Sequence, residues 1–263
     1  MIPAAVRYVR AGTLEEAFDA LAEPDAKLLA GGQSLIPVLK LRVIRPSVLV
    51  DIGGVGSSVA RMDGDELALG ALMTWTQLGD VAELRRPALA AIPECAAQVG
   101  DLQVRNRGTI GGSLAHADPA ADLPAVVLAL GARLRLAARE GEREIGAEEF
   151  FVGPFTTALR PGEVLREIVF PAQPDGSGSA YAKVEHPASG FALAGAAALV
   201  RPDGSSTVAV TGVGATAFFL PDGVDSLAGA EIYGDQLAPG EYRRQLASVV
   251  VERALKRARE RAG

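Results

Sequence analysis

The sequence predicts an α+β protein built from a larger, two-part N-terminal unit and a smaller C-terminal unit. Strand and helix signals alternate up to a glycine-rich break at residues 53–56. A second break, Pro171–Ser179, is rich in proline, glycine and serine, and beyond it three strand patterns precede one long helical pattern. The predicted boundaries are 1–172 for the first unit, about 1–53 and 54–172 for its two parts, and 177–263 for the second unit.

The first 53 residues predict a small βαβ unit. Thr13 and Glu16 have the spacing of a capping box, and apolar residues after them share one helical face. The second strand runs into a glycine pair, and loops at the C-terminal ends of such strands commonly bind ligands. The expected elements are strands at 6–9, 27–30 and 47–51, a helix that begins after Thr13, and a helical turn from Ser34 to Leu39.

The remaining elements surround a central run, Arg105–Asp122, that has no amphipathic period. This run combines a glycine pair, hydroxyls, carboxylates and a proline, which predicts a shaped loop. Thr74 and Gln77 form a second capping-box pair, and Pro93 is expected to split or kink a helical stretch. The other expected elements are strands at 66–70, 133–136, 163–170, 180–185, 191–201 and 207–213, and helices at 78–84, 87–99, 123–130 and 241–261, the last with Leu246, Val249, Val250 and Ala254 on one face.

Composition excludes several classes of function. The chain has 263 residues, of which 49% are hydrophobic, and its net charge of −6 argues against a nucleic-acid partner. One cysteine, Cys95, cannot form an internal disulfide or hold an iron–sulfur cluster alone, and two histidines make a zinc site unconvincing. The sequence shows neither a signal-type apolar region nor an uninterrupted apolar run of membrane-spanning length, so we expect no transmembrane segment and a cytoplasmic location.

Two loops share one pattern of a small residue, a glycine pair and a serine: Ala30–Ser34 and Thr109–Ser113. Neither has the Walker or the Rossmann spacing. Each alone is more often an ordinary turn, but together they can cradle a diphosphate with backbone N–H groups as donors. A third run, Gly212–Ala217, fits G-x-G-x-x-A, yet Pro221 leaves no room for the helix that a dinucleotide fold requires, so we interpret it as a turn.

These loops resemble the FAD-binding signatures of the flavoprotein, or medium, subunits of molybdenum hydroxylases, the family of carbon monoxide dehydrogenase and xanthine dehydrogenase. The family pattern is Ala-Gly-Gly-x-Ser early in the chain, then Thr-Ile-Gly-Gly-x and an Asp near mid-chain; Asp122 supplies the last. Gln33 and Ser113 differ from some relatives, at variable positions. The resemblance implies a two-part FAD-binding domain of the oxidase (PCMH or vanillyl-alcohol-oxidase) type and a small C-terminal α+β domain with a three-stranded antiparallel sheet and helices.

The resemblance also implies which residues contact the cofactor. Asp122 is one of them, although a helix N-cap is the common role of an aspartate at such a position. Val99, Leu165 and Lys183 match flavin contacts, whereas residue chemistry alone predicts two core residues and a solvated lysine. No residue is assigned as a catalytic acid or base or as a metal ligand. The implied set is Leu29, Ala30, Gly31, Gly32, Gln33, Ser34, Val99, Thr109, Ile110, Gly111, Gly112, Ser113, Asp122, Leu165 and Lys183.

By the same resemblance, the chain is the FAD-carrying subunit of a molybdenum-containing hydroxylase or dehydrogenase. Substrate is oxidised at molybdopterin in a large subunit, and electrons pass through [2Fe-2S] clusters of a small subunit to FAD and on to an external acceptor. The implied assembly is a dimer of heterotrimers. Two alternatives stay open: a free-standing FAD oxidoreductase of the related oxidase fold, and a non-catalytic module that binds a phosphate ligand or assists assembly.

Overall fold

A computed structural model describes residues 2–263, which form three β-sheets and a short hairpin with helices packed against them. The strands are β1 (Arg7–Arg10), β2 (Lys27–Leu29), β3 (Val48–Asp51), β4 (Ala60–Asp63), β5 (Glu66–Gly70), β6 (Arg133–Ala138), β7 (Gly141–Gly146), β8 (Phe151–Gly153), β9 (Thr156–Thr157), β10 (Val164–Phe170), β11 (Gly178–Glu185), β12 (Ala192–Val200), β13 (Ser206–Thr211) and β14 (Phe218–Phe219). The helices are α1 (Leu14–Leu21), α2 (Leu35–Lys40), α3 (Trp75–Leu78), α4 (Ala91–Ala97), α5 (Leu102–Arg107), α6 (Ile110–His116), α7 (Leu123–Ala129), α8 (Ala147–Phe150) and α9 (Gly240–Arg261).

The first sheet is parallel, with strand order β1-β3-β2, as expected for the βαβ unit. Its core joins buried residues of α1 and β3. The Thr13 hydroxyl caps α1 by accepting from Glu16 N at 3.2 Å, but the Glu16 carboxylate accepts from Gly12 N instead of Thr13 N. The predicted capping box is therefore only half formed. This sheet places the first glycine-pair loop at the C-terminal end of β2.

The second sheet is antiparallel, in the order β4-β5-β10-β6-β7. Alternation along β6 turns Leu134 and Leu136 into the core and two arginines to the other face, where Arg135 contacts three carboxylates at 2.9–3.1 Å. The sequence analysis missed β4 and β7. Both are edge strands whose side chains are mostly exposed, so they carry no apolar alternation that a sequence pattern can detect.

The helical stretch predicted at 87–99 is split, as expected, into a 3₁₀ turn at Pro87–Leu89 and α4, and Pro93 lies in the first turn of α4, where a missing N–H costs no helical bond. Two other expectations about the helices are wrong. The Thr74–Gln77 capping box is formed, but the helix that it begins ends at Leu78 and a 3₁₀ turn follows. The central run is not a continuous loop, because caps at Asp101 and Thr109 begin the short helices α5 and α6.

The third sheet has the order β11-β12-β13-β14, so the predicted three antiparallel strands gain a short fourth. Alternate residues of β12 face α9 on one side and the main core, including α7, on the other. Val249 is expected to share the buried face of α9 with Val250 and Ala254, yet it is 39% exposed, whereas Ala247, Val251 and Ala258 are buried. The buried face of α9 is the one with small residues, because small residues on α9 and β12 let the helix and the sheet approach closely.

The segment from residue 212 to 217 connects β13 to β14 without a helix, in agreement with its interpretation as a turn. Among residues 2–263, no helix is both long enough and apolar enough to cross a membrane.

An ion pair joins β7 to the residue directly before β10, and its contribution to stability can be tested. Arg143 forms a bidentate ion pair with Glu163, with distances of 2.7 Å for Nε–Oε1 and 2.8 Å for Nη2–Oε2. The Arg143 guanidinium lowers the pKa of the Glu163 carboxyl below its ordinary value of 4.5, against a smaller opposing effect of burial. The stabilisation is therefore present above pH 4.5 and is lost as the pH falls through the lowered pKa of the folded state.

We expect Glu163→Gln to reduce the free energy of unfolding by about 1–2 kcal/mol at pH 7, because charged hydrogen bonds are lost. Urea unfolding of both proteins from pH 7 to pH 3 measures the difference, which should shrink below pH 4.5. Glu149→Gln is the control, since Glu149 is exposed and forms no ion pair within residues 2–263. A difference that does not depend on pH would contradict this account of the pair.

Candidate cofactor-binding site

The two glycine-pair loops lie against each other. A methyl group built at Gly31 would stand 2.2 Å from the carbonyl oxygen of Arg107 and 2.8 Å from the Cα atom of Gly108. Both neighbours are main-chain atoms that cannot rotate away, so no side chain fits at Gly31. The contact falls directly before Thr109, where the second loop begins. Two segments that are some 75 residues apart in sequence thus form one surface.

The first loop, Ala30–Ser34, presents main-chain donors. Gly32 has φ of +74°, a left-handed conformation that glycine adopts without strain. In the described part of the chain, no acceptor pairs with the N–H groups of Gly31 through Ser34. Ser34 stands at the N-cap position of α2, but its side chain makes no capping bond. A turn with successive free N–H groups is a typical anion-binding concavity.

The second loop differs, because its amides are engaged within the protein. Thr109 Oγ1 accepts from Gly112 N at 3.1 Å and caps α6. The N–H groups of the two residues before Gly112 donate to the segment after β5: Ile110 N to Met73 O at 3.0 Å and Gly111 N to Ala71 O at 2.9 Å. The expectation of free amides at Gly111 and Gly112 is therefore wrong.

Gly111 has a packing role instead of a ligand-facing one. A methyl group there would stand 2.5 Å from the Ala71 Cβ atom and 2.7 Å from the Ala71 oxygen. Its missing side chain lets α6 approach the end of β5. On the outer side of α6, Gly112 is exposed, and the half-buried Ser113 has a hydroxyl without a partner among residues 2–263. The second loop thus offers side-chain hydroxyl groups where the first offers amides.

The two arginines before the second loop have separate roles. Arg105 Nη1 donates to the carbonyl oxygens of Val99 and Gly100, both at 3.1 Å, and so holds the turn that carries Val99. Arg107 is exposed, and its charge is among the groups that lower the pKa of Asp51, against the opposing effect of burial. Arg107 thus adds positive potential to the C-terminal edge of the parallel sheet.

A second cluster is centred on Lys183, whose side chain is only 1% exposed. Its ammonium donates to Gln98 O at 2.6 Å, to Gly190 O at 2.9 Å and to Asp122 Oδ2 at 3.1 Å. An ammonium has three donors, and these bonds engage all of them. The prediction of a solvated lysine is wrong, because a carboxylate and two carbonyl groups replace the water that burial removes.

Asp122 connects this cluster to the sheet. It stands at the N-cap position of α7, as the N-cap interpretation expects, but its side chain makes no capping bond. Its Oδ1 atom accepts from the buried Tyr181 hydroxyl at 2.5 Å while Oδ2 receives Lys183. Burial raises the pKa of Asp122, and the neighbouring Lys183 and Tyr181 oppose that shift. Burial and the Asp122 charge together raise the pKa of Tyr181 well above its ordinary value.

Three members of this cluster, Tyr181, Gln98 and Gly190, are not among the residues predicted from the sequence. Tyr181 had a detectable signal, since it lies two residues before Lys183 on one strand and therefore shares its face. Gln98 contributes only a main-chain oxygen, which has no sequence signature. His116 packs edge-on against Phe155, and burial lowers its pKa. No group of three or more possible ligands within residues 2–263 would hold a metal ion.

The other predicted residues fall around these two clusters. Leu29 and Ala30 are half-buried where β2 runs into the first loop, and Gln33 is exposed beside it. Ile110 is buried in the core under the second loop. Leu165 is buried in β10 next to a β-bulge. Val99 is half-buried, directly after Gln98 in the chain, and its carbonyl oxygen accepts from Arg105. The structure thus forms a loop cluster from the two glycine-pair loops and an ammonium cluster around Lys183 and Asp122.

Comparison with protein families gives one match over most of the chain. Residues 4–173 match the model described as FAD binding domain in molybdopterin dehydrogenase. The 6-hydroxypseudooxynicotine dehydrogenase complex subunit alpha of Paenarthrobacter nicotinovorans is 36% identical, with 100% of this chain and 97% of that protein covered. The carbon monoxide dehydrogenase medium chain of Afipia carboxidovorans is 33% identical, with 100% and 99% covered.

The solved structures give the same result. The chain superposes on a chain of the carbon monoxide dehydrogenase from Hydrogenophaga pseudoflava, a form that lacks the Mo-pyranopterin moiety of the molybdenum cofactor, with a TM-score of 0.93. The two chains are 33% identical, and each is covered completely.

The contact at Gly31 provides a test of whether the loops depend on each other. We expect Gly31→Ala to lower the free energy of unfolding by about 1–3 kcal/mol, because the methyl group overpacks a main-chain contact. Chemical denaturation measures this change. Gly54→Ala is the matched control: nothing lies within 4 Å of its added methyl group, so its effect should stay within about 0.5 kcal/mol. Equal effects of the two substitutions would contradict the contact.

Proposed function

The chain belongs to the family of FAD-binding domains of molybdopterin dehydrogenases, and we propose that it is the FAD-carrying medium subunit of a molybdenum-containing hydroxylase or dehydrogenase complex. One observation supports this proposal most strongly. The first glycine-pair loop has a left-handed turn whose N–H groups have no partner among residues 2–263, and it packs against Arg107 and Gly108, directly before the second loop of the same family signature. The chain covers 97% and 99% of the length of the two relatives named above, which supports a subunit of this type.

The residues of the loop cluster fit the diphosphate of FAD. A diphosphate carries negative charge and accepts hydrogen bonds, and the N–H groups of Gly31–Ser34 are donors without a partner among residues 2–263. The hydroxyl groups of Ser34 and Ser113 add further donors, and Arg107 adds positive charge nearby. We propose that these groups hold the diphosphate. Thr109, Ile110, Gly111 and Gly112 then support the site mainly by shaping α6.

The ammonium cluster is proposed to serve the flavin end of the cofactor. Val99 and Leu165 supply apolar surface, and Lys183 supplies a positive charge that Asp122 and two carbonyl groups fix in position. Because all three Lys183 donors are engaged, it acts on a bound flavin through its charge instead of a direct hydrogen bond. FAD, when bound, supplies redox chemistry that no side chain of this site provides.

Partner chains complete the proposed enzyme. Molybdopterin and [2Fe-2S] clusters belong to separate large and small subunits, and a chain with one cysteine cannot supply the ligands of such a cluster. This subunit then carries electrons between the small subunit and an external acceptor. The dimer of heterotrimers and the cytoplasmic location remain predictions from the resemblance.

We also propose the finer domain division. Residues 1–172 form a FAD-binding domain of the PCMH or vanillyl-alcohol-oxidase type, with parts at about 1–53 and 54–172, and residues 177–263 form the C-terminal flavoprotein domain. Two structural facts support these boundaries. The parallel sheet ends at Asp51, and the link from Phe170 to Gly178 has no regular structure.

Two glycines in equivalent backbone conformations provide the sharpest test of FAD binding. Gly32 has φ of +74° in the first loop, and Gly64 has φ of +63° in the β4–β5 turn. The left-handed backbone strains alanine at either position by about 1–2 kcal/mol. At Gly32 the methyl group would also stand 3.1 Å from Ile36 Cγ1, whereas nothing lies within 4 Å of it at Gly64. Only Gly32→Ala changes the loop whose N–H groups we propose to bind the diphosphate. We expect it to weaken FAD binding about tenfold, because a tenfold loss of affinity corresponds to about one charged hydrogen bond.

The measurement uses the complex purified from cells that also produce its partner subunits. Released flavin is quantified by absorbance, and FAD is then titrated into the deflavinated protein. We expect stoichiometric FAD in the unaltered protein and in Gly64→Ala, with a loss in Gly32→Ala. A folded protein that binds no FAD would overturn the proposed function. FAD binding that is equal in the two alanine variants would overturn the assignment of the diphosphate to the first loop.

A further inference from the structure

Tyr181 is a fully buried polar group whose role the proposed function leaves unassigned. Its hydroxyl donates to Asp122 Oδ1 at 2.5 Å, and the other oxygen of that carboxylate receives the Lys183 ammonium at 3.1 Å. The three groups form one chain of contacts, with the tyrosine at the end farthest from the lysine charge. The hydroxyl therefore determines which way the carboxylate faces.

Glycine at position 195 makes room for this hydroxyl. Gly195 lies on β12 directly opposite Lys183 of β11. A methyl group built there would stand 2.4 Å from the Tyr181 hydroxyl oxygen, 3.0 Å from Thr211 Cγ2 and 3.2 Å from Tyr181 Cζ. The hydroxyl thus occupies space that is open only because the residue across the strand pair lacks a side chain.

The main chain that carries Asp122 is held by a different group. Thr211 Oγ1 donates to Ala121 O at 2.7 Å and lies 3.1 Å from Pro119 O, and Gly212 N also donates to Pro119 O, at 2.9 Å. These bonds fix the backbone before Asp122 without involving Tyr181. What remains free is rotation of the carboxylate group, and Tyr181 restrains that rotation.

We propose that Tyr181, with the space provided by Gly195, is a positioning residue for the flavin. It acts through Asp122 by fixing the carboxylate that holds the Lys183 ammonium, and so it sets the position of the positive charge beside the bound cofactor. This inference rests on the proposed function, since it requires FAD in this site. A charge at a fixed place near a flavin changes the reduction potential of that flavin.

The first test is Tyr181→Phe in the FAD-loaded complex, a substitution that keeps the ring and removes only the hydroxyl. We expect a more negative midpoint potential of the flavin, because the positive charge that favours the reduced form is less well fixed. We also expect an altered visible absorption spectrum and weaker binding of FAD. Tyr242→Phe, at an exposed tyrosine of α9, is the control and should leave all three quantities unchanged.

The second test is Gly195→Ala. It changes none of Tyr181, Asp122 and Lys183, but its methyl group displaces the Tyr181 hydroxyl from Asp122. We expect the flavin potential to shift in the same direction as in Tyr181→Phe. In the double variant the shifts should be less than additive, because removal of the hydroxyl removes the closest clash. Additive shifts would show that the two residues act independently and would overturn their pairing.

The outcomes separate this inference from the proposed function. If the unaltered protein binds FAD and Tyr181→Phe retains the same potential and spectrum, the positioning role is overturned while the proposed function stands. If the unaltered protein binds no FAD, the proposed function itself fails. If Tyr181→Phe and Gly195→Ala both fail to fold, Tyr181 has a structural role only, and the inference is overturned.

Discussion

The site depends on one close contact between main chains. Gly31 meets the carbonyl of Arg107 and the Cα atom of Gly108 at a distance that excludes any side chain. The contact joins a parallel sheet to a helical segment that belongs to another layer of the fold. Because both partners are backbone, neither side can relax by changing a rotamer. The contact therefore holds the two glycine-pair loops next to each other.

The two loops share a sequence pattern but use it in different ways. In the first, the left-handed Gly32 leaves a series of N–H groups without acceptors in the described part of the chain. In the second, the cap on α6 and the bonds to Met73 and Ala71 engage the equivalent amides, and Gly111 provides close packing. One loop is thus suited to bind an anion, and the other is suited to hold the first in place and to add hydroxyl groups.

The Lys183 cluster shows how a buried charge is tolerated. Moving an ammonium out of water is costly unless its donors find acceptors. Here Asp122 and two carbonyl oxygens satisfy all three donors, and Tyr181 satisfies the second oxygen of the carboxylate. The four groups come from the residue that follows α4, the start of α7, β11 and the turn between β11 and β12. The third sheet therefore contributes directly to the geometry of the proposed flavin site.

The sequence by itself determined the βαβ unit, the long C-terminal helix, the two loops as a pair and the family. These follow from local signals: apolar periodicity, caps and glycine pairs at fixed spacing. Only the tertiary structure decided that β4 and β7 pair as edge strands, that the central run becomes two short helices, and that Val249 faces outward. It also decided which amides are free and that Lys183 is buried. The physical reason is that exposure and hydrogen-bond partners belong to pairs of segments distant in sequence, and a local pattern contains no information about the second member of such a pair.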